Sequence, residues 1–209
     1  MPTERSPGRA DEPDPDAVLM LRVKRGDRAA FAALVEKYQQ PVLNFLLRSL
    51  QDETEAEDLA QSVFVQVWKS ARRYRRSARF STWLFTIARN LCLNELRRRA
   101  RHPAASLDAP VSESETPLPQ RLEDRQTATP PEALLREELF QKVEAALAEL
   151  PENQRTAILL FREEFSYEDI AAVLGCSLSA TKSLIHRGRE TLKQKLKPYL
   201  RTGEWKPPG

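Results

Sequence analysis

The chain has 209 residues, of which 41% are hydrophobic, with 33 Lys and Arg against 30 Asp and Glu, 15 Pro and only 6 Gly. This length allows one or two small domains with a real hydrophobic core. No stretch approaches the roughly 18 consecutive apolar residues that span a bilayer, and residues 1–16 lack the basic and then apolar order of a signal peptide. We therefore expect a soluble cytoplasmic protein without membrane insertion. Cys92 and Cys176 have no further Cys or His at metal-ligand spacing, so we expect buried reduced thiols and no metal site.

The net charge of +3 is distributed unevenly along the chain. Residues 17–102 carry 17 basic and 8 acidic side chains, and residues 170–209 carry 8 basic and 2 acidic ones. The remaining stretches, 1–16, 103–131 and 132–169, are each net acidic. Two separate basic surfaces indicate a polyanion that is held in two places.

Proline content indicates where the domains end. Residues 103–131 contain six prolines and six Ser or Thr without a sustained apolar period, which predicts a flexible linker. As a coil this linker would span about 30 Å, and fully extended it would reach roughly 95 Å. On both sides of it apolar residues recur at three and four spacing, so the predicted fold class is all-α, with two small helical domains. The predicted division is a disordered extension at 1–16, domains at 17–102 and 132–200 around the linker, and a tail at 201–209.

Three helices are predicted in the first domain. The first covers Asp27 to Leu50, with a break or kink at Pro41. The second covers Glu55 to Ser70 and buries an apolar row that Trp68 is expected to join. The third begins with Ser81 as N-cap and runs to about Arg99.

An arginine-rich segment, residues 72–80, lies between the second and third helices, and we call it the arginine loop. It interleaves five arginines with two aromatic residues: Arg72, Arg73, Tyr74, Arg75, Arg76, Arg79 and Phe80. Such a loop can bind phosphates while Tyr74 or Phe80 stacks on an unpaired base. The alternative is a solvated arginine surface whose aromatic rings anchor the loop to the core. The helix that follows exposes a polar stripe composed of Arg89, Asn90, Asn94 and Arg97.

The second helix has a polar face of a different kind. Asp58, Gln61, Ser62, Val65 and Lys69 share the side opposite the buried row. An exposed valine among short polar groups is typical of a protein contact, although a solvated helix face is an equally good interpretation.

The second domain contains a helix-turn-helix pattern, after helices predicted from Glu132 to Leu150 and from Pro151 to about Glu164. Ser166 and Asp169 fit a capping box, and Gly175 fits the left-handed residue that ends such a helix. The next helix directs Leu178, Leu184, Ile185 and Leu192 to the core. Its opposite stripe, Lys182, Ser183, His186, Arg187 and Glu190, would lie at base edges or phosphates. The alternative is an ordinary helical hairpin with a solvated face.

No catalytic arrangement is apparent. The two histidines, His102 and His186, have no nucleophile or carboxylate partner at a recognisable spacing, and there is no glycine-rich phosphate loop. We expect a protein that is not an enzyme and that uses no cofactor.

These motifs together resemble those of the bacterial extracytoplasmic-function (group 4) sigma factors of the sigma-70 family, over about residues 17–200. The resemblance rests on five stretches in the same order around a linker. These are Gly26-Asp27 with Ala30-Phe31 and Leu34 through Tyr38; Ala56 through Phe64; Ser81 through Leu84 with Ile87 through Asn90; Leu150-Pro151; and Tyr167 through Leu192.

The resemblance implies two domains, sigma region 2 and sigma region 4, and roles for their residues. Asp58, Gln61 and their neighbours Ser62 and Val65 would contact core RNA polymerase. The arginine loop and the following helix would recognise and help melt the minus-10 element, where Asn90 and Asn94 match DNA-contacting positions. Lys182, Ser183, His186 and Arg187 would read the minus-35 element, and Arg155 would contact a phosphate. The implied partners are core RNA polymerase, promoter DNA as duplex and as melted single strand, and an anti-sigma factor.

Two other classes of function remain open at this point. A helix-turn-helix regulator would bind specific duplex DNA without polymerase and use the first domain for sensing or dimerisation. A protein-interaction adaptor that mimics a sigma factor would bind a protein and never direct initiation.

Overall fold

The computed structural model of the chain describes residues 14–101 and 130–202. Most of the predicted N-terminal extension, linker and tail, together with His102, lies outside the described residues. The described part is built from α-helices and one 3₁₀ turn, without strands, which confirms the predicted all-α class there. The helices of the first domain are α1 (Pro15–Val23), α2 (Arg28–Leu50), α3 (Glu53–Ser70) and α4 (Phe80–Arg101), with the 3₁₀ turn at Ala71–Arg73 between α3 and α4. Those of the second domain are α5 (Pro130–Ala148), α6 (Glu152–Arg162), α7 (Tyr167–Leu174) and α8 (Leu178–Thr202).

Helix α1 extends the first domain toward the N-terminus. Asp14 is its N-cap, and Oδ1 of Asp14 accepts the Asp16 amide at 3.1 Å. The Asp16 side chain is buried and accepts hydrogen bonds from Lys37 Nζ and Tyr38 Oη, both at 2.6 Å. Residues 14–16, which we assigned to a disordered extension, therefore belong to the folded domain. The sequence did not reveal this, because composition alone does not distinguish an acidic residue that is buried with partners from one in a solvated acidic tail.

Helix α2 continues through Pro41, where a break or kink was predicted. Asp27 caps its start by accepting the Ala30 amide at 3.0 Å. Leu34 and Val42, on either side of the proline, are both buried in the core. This packing offsets the backbone hydrogen bond that a proline inside a helix removes.

The core of the first domain forms where α1, α3 and α4 pack around α2. Its largest fully buried side chains include Met20, Leu34, Leu46 and Leu84. Trp68, which we expected to point inward, is 39% exposed, and its ring meets that of Phe31 in a T-shaped contact at 5.0 Å between centroids. The prediction was wrong because Val63 and Val67 occupy the centre of the buried face of α3, which leaves Trp68 at its margin.

The helix-turn-helix is present where the sequence placed it. Ser166 Oγ accepts the Asp169 amide at 3.0 Å, and Gly175 ends α7 with φ +66° and ψ +35°. In α8, Thr181, Ile185 and Gly188 face the core. Leu178, predicted to be inward, is 37% exposed because it is the first residue of the helix, before its buried row begins.

The two domains are in direct contact. Helix α7 packs against α4, and α5 and α6 pack against α2. Phe85 of the first domain meets Phe165 of the second edge to face, at 5.2 Å between centroids, so the hydrophobic cluster runs from one domain into the other.

Both cysteines are free thiols, as expected, but only one is fully buried. Cys92 lies in the core, and burial raises its pKa to about 11. Cys176 is half-buried, with Sγ 3.2 Å from Oγ1 of Thr181. Within the described ranges no helix is both long enough and apolar enough to cross a membrane.

Candidate nucleic-acid interfaces

The arginine loop presents its charges to solvent and buries its rings. All five of its arginines are exposed, and none forms a salt bridge with another described residue. Tyr74 is 1% exposed and Phe80 is fully buried. The Tyr74 ring packs on Trp83 at 5.0 Å, and the Phe80 ring on Tyr38 at 5.3 Å. This geometry favours the alternative in which the aromatic residues anchor the loop, since stacking on a base would require either ring to leave the core.

Two polar contacts from the start of the domain reach the arginine loop, one at Tyr74 and one at Phe80, its last residue. Lys24 Nζ donates to the Tyr74 carbonyl oxygen at 3.0 Å. The Phe80 amide donates to Oδ2 of Asp14 at 2.8 Å. Helix α4 begins at Phe80, one residue before the predicted N-cap Ser81. Its first amide is bound by the carboxylate of Asp14, the N-cap of α1, instead of by a local cap.

The polar stripe of α4 is only partly free. Asn90, Asn94 and Arg97 are exposed, as predicted. Arg89 is half-buried against the second domain, where its Nη2 donates to Oδ1 of Asn153 at 2.8 Å and its Nε lies 3.5 Å from Oε1 of Glu152. A DNA contact by Arg89 would have to replace these contacts.

The outer stripe of α8 has the exposure that the sequence predicted. Lys182, Ser183, His186 and Arg187 all face solvent, on the side of the helix opposite buried Ile185. Lys182 Nζ lies 5.9 Å from the centroid of the Tyr167 ring. A helix of this shape can enter a major groove and present cations and hydroxyls to bases and phosphates.

Arg155 is engaged with backbone carbonyls. Its Nη1 donates to the carbonyl oxygen of Ser49 in the first domain at 2.9 Å, and its Nη2 donates to those of Ala148 and Leu150, at 2.5 and 3.1 Å. Burial lowers the pKa of the guanidinium. The arginine thus ties the end of α5 to the end of α2, and a phosphate contact would have to replace these bonds.

The exposed face of α3 is confirmed as a surface. Asp58, Gln61, Ser62 and Val65 are all exposed, Val65 by 51%. Trp68 lies three residues beyond Val65, on the same side of the helix, and enlarges the apolar part of this face. Two exposed apolar side chains among polar ones form a surface suited to a protein partner.

The interface between the domains includes further polar contacts that the sequence did not indicate. Thr82 Oγ1 donates to Oδ1 of Asp169 at 2.7 Å, and Arg48 Nε donates to Oε1 of Glu144 at 2.8 Å. Thr82 is 2% exposed, so the first turn of α4 is covered by α7. The partners are 87 and 96 residues apart in sequence, and no local pattern could have paired them.

In the described part of the chain, no group of three or more His, Cys, Asp or Glu side chains is placed to hold a metal ion.

Comparison with known proteins identifies the family. The family described as Sigma-70 region 2 matches residues 34–102, and Sigma-70, region 4 matches residues 140–192. The RNA polymerase sigma-H factor of Pseudomonas aeruginosa is 38% identical over 191 residues, which cover 89% of this chain and 96% of the relative. The ECF RNA polymerase sigma-E factor of Escherichia coli is 34% identical over the same length and the same shares of both chains. A solved structure of the sigma factor RpoE in complex with the anti-sigma factor NepR from Bartonella quintana has 26% identity and a TM-score of 0.61, covering 80% of this chain and 96% of that one. With relatives this similar over nearly their whole length, the chain belongs to the extracytoplasmic-function sigma factors of the sigma-70 family.

Proposed function

We propose that this sigma factor binds core RNA polymerase and directs it to promoters through two DNA contacts, one in each domain. The observation that carries the proposal is the presence of two exposed basic surfaces on separate domains, the arginine loop and the outer stripe of α8. The arginine loop, with Arg89, Asn90, Asn94 and Arg97 of α4, would bind the minus-10 element as it melts. Arg89 becomes available for this contact when the domains separate, because its partners Asn153 and Glu152 lie in the second domain. The α8 residues Lys182, Ser183, His186 and Arg187 would read the minus-35 element.

The polymerase contact is assigned to the exposed face of α3. Asp58, Gln61, Ser62 and Val65 form this face, and Trp68 extends it. Neither basic surface is on this face of α3, so a bound polymerase would leave the arginine loop and α8 available to DNA.

The proposal requires the two domains to separate. The names of the two promoter elements place them about 25 base pairs apart, which is about 85 Å along B-DNA. Two domains of this size in direct contact extend over only about 60 Å. The linker at 103–131 can reach roughly 95 Å when extended, which suffices for the separation. We therefore infer that the packed arrangement is that of the free factor and that polymerase holds the domains apart.

An anti-sigma factor and the cellular location are part of the same proposal. The similar RpoE structure is a complex with an anti-sigma factor, which supports such a partner for this chain. Core polymerase and the chromosome are in the bacterial cytoplasm, so that is where this protein would act.

The test is in vitro transcription over a pooled library of genomic fragments. Bacterial core polymerase is compared with and without the protein, and the RNA 5′ ends are sequenced. New start sites that share two upstream elements at a fixed spacing are the expected result. Specific binding to duplex DNA by the protein alone, with no new starts from active core polymerase, would instead support a regulator.

A charge-matched pair of variants tests the arginine loop in the same assay. Arg76→Ala with Arg79→Ala removes two exposed loop arginines, and Arg25→Ala with Arg28→Ala removes two exposed arginines of the same domain outside the loop. The loop variant should lose initiation at the new starts while the control retains it. Equal activity of both variants would refute the assignment of the loop.

A further inference from the structure

Helix α1 and the residues that cap it lie outside the part of the chain that the region 2 family matches, yet the two caps contact the arginine loop at Tyr74 and at Phe80. Asp14, at its N-terminus, accepts the Phe80 amide with Oδ2 at 2.8 Å. Lys24, directly after its last residue, donates to the Tyr74 carbonyl at 3.0 Å. The residues between these points, 75–79, carry three of the exposed arginines.

The Asp14 carboxylate joins the N-termini of two helices. Its Oδ1 caps α1 through the Asp16 amide, while its Oδ2 binds the first amide of α4. The first amides of a helix have no partner inside the helix, and a carboxylate there is also favoured by the helix dipole. This single side chain therefore joins the start of α1 to the start of α4, at the residue where the arginine loop ends.

The loop ends are held by side chains as well as by backbone contacts. Tyr74 and Phe80 are buried, and their rings are 6.4 Å apart between centroids. Because Tyr74 and Phe80 are fixed, the arginines between them can occupy only a restricted set of positions before DNA binds. A loop ordered before binding loses less conformational entropy when it meets a single strand.

We propose that α1 acts as a brace in which Asp14 and Lys24 are positioning residues that hold the arginine loop in place for the melted minus-10 strand. The proposal rests on the proposed function of that loop. The brace and the negative charge of Asp14 predict opposite effects on DNA binding when Asp14 is removed. Asp14 is an anionic group beside a phosphate-binding segment, so removing it should strengthen DNA binding if only electrostatics mattered. If the brace matters more, removing Asp14 weakens binding.

The experiment measures the binding of a fluorescent single strand by the complex of core polymerase with the full chain. The strand carries the non-template sequence of a minus-10 element found in the transcription assay, and a scrambled strand is measured in parallel. Asp14→Ala is compared with Asp27→Ala, which removes an equal charge and the N-cap of α2 without a contact to the loop. We expect Asp14→Ala to weaken binding of the specific strand by about 5- to 20-fold, the loss from reordering two or three side chains, while Asp27→Ala changes it by less than about twofold.

Two further variants keep the result interpretable if Asp14→Ala folds poorly. Asp14→Asn retains one oxygen as an acceptor and should give an intermediate loss. Lys24→Met removes the other contact, and Arg25→Met is its charge-matched control at an exposed neighbouring position. Thermal unfolding of each variant separates a loss of fold from a loss of loop position.

The outcomes separate the brace from the function on which it rests. If wild-type complex fails to bind the melted strand, the assignment of the arginine loop is wrong, and the brace with it. If wild type binds and Asp14→Ala matches Asp27→Ala or binds more tightly, the brace alone is refuted.

Discussion

Thr82 offers the sharpest test of the contact between the two domains. Its hydroxyl donates to Oδ1 of Asp169 in the second domain at 2.7 Å, and its side chain is nearly fully buried. Thr82→Val keeps the shape of the side chain and removes only this donor. A hydrogen bond to a charged group contributes about 1.5–3 kcal/mol, and water can replace part of the lost bond because Asp169 is only half-buried. We expect the closed arrangement to lose about 1–2 kcal/mol, which raises the ratio of open to closed molecules about 5- to 30-fold.

Thr86→Val is the matched control for this change. Thr86 lies one turn further along α4, and its hydroxyl donates to the Thr82 carbonyl within the helix. It makes the same substitution on the same helix without removing a contact between domains. A shift of equal size in both variants would show that the Thr82 hydroxyl does not hold the domains together.

Energy transfer between two dyes measures the opening. Cysteines placed at Gln66 and Gln194 lie on exposed positions of different domains, and Cys176→Ser removes the half-buried thiol. Thr82→Val should lower the transfer efficiency in the free protein and leave it unchanged in the polymerase complex. The affinity of this variant for core polymerase should rise by no more than the same factor. Only open molecules can bind polymerase, so the apparent affinity scales with the open fraction.

Three further predictions concern single side chains. Lys182→Ala or Arg187→Ala should weaken recognition of the upstream element by about 1–3 kcal/mol, measured as initiation from promoters with altered minus-35 sequences; an unchanged promoter profile would remove that residue from the reading set. Arg155→Met should lower the free energy of unfolding by about 2 kcal/mol through its lost carbonyl contacts. Promoter binding by this variant should keep the same dependence on salt. A lost phosphate contact would instead reduce the slope of log binding constant against log salt concentration by about 0.9. Cys92 should resist iodoacetamide at pH 8.5 while Cys176 reacts, as read by mass spectrometry, because burial raises the pKa of Cys92 to about 11. The buried neutral thiol stabilises the fold fully below pH 9.0, the ordinary value for the thiol, and this contribution is lost as the pH rises to about 11. The difference in free energy of unfolding between wild type and Cys92→Ala should therefore shrink from pH 9.0 to about 11. A difference that stays constant over this range would contradict the raised pKa of Cys92.

Several features followed from the sequence because their causes are local. The Ser166 cap and the Gly175 turn depend on residues within one helical turn of each other, and both were placed correctly. The exposed stripe of α8 followed from helical periodicity, since Ile185 and Thr181 could only be buried if Lys182 and His186 faced out. The same holds for the exposed face of α3.

The tertiary structure decided which of these surfaces are available and what holds them. Arg89 and Arg155 look like DNA contacts in the sequence, but in the closed arrangement Arg89 is bound by the second domain and Arg155 by backbone carbonyls. Asp14 binds Phe80 across 66 residues, so no periodicity could have distinguished it from an acidic tail. Local patterns determine which face of a helix is polar. Whether a polar side chain meets water, DNA or another domain depends on contacts between distant parts of the chain, which form only when the helices pack.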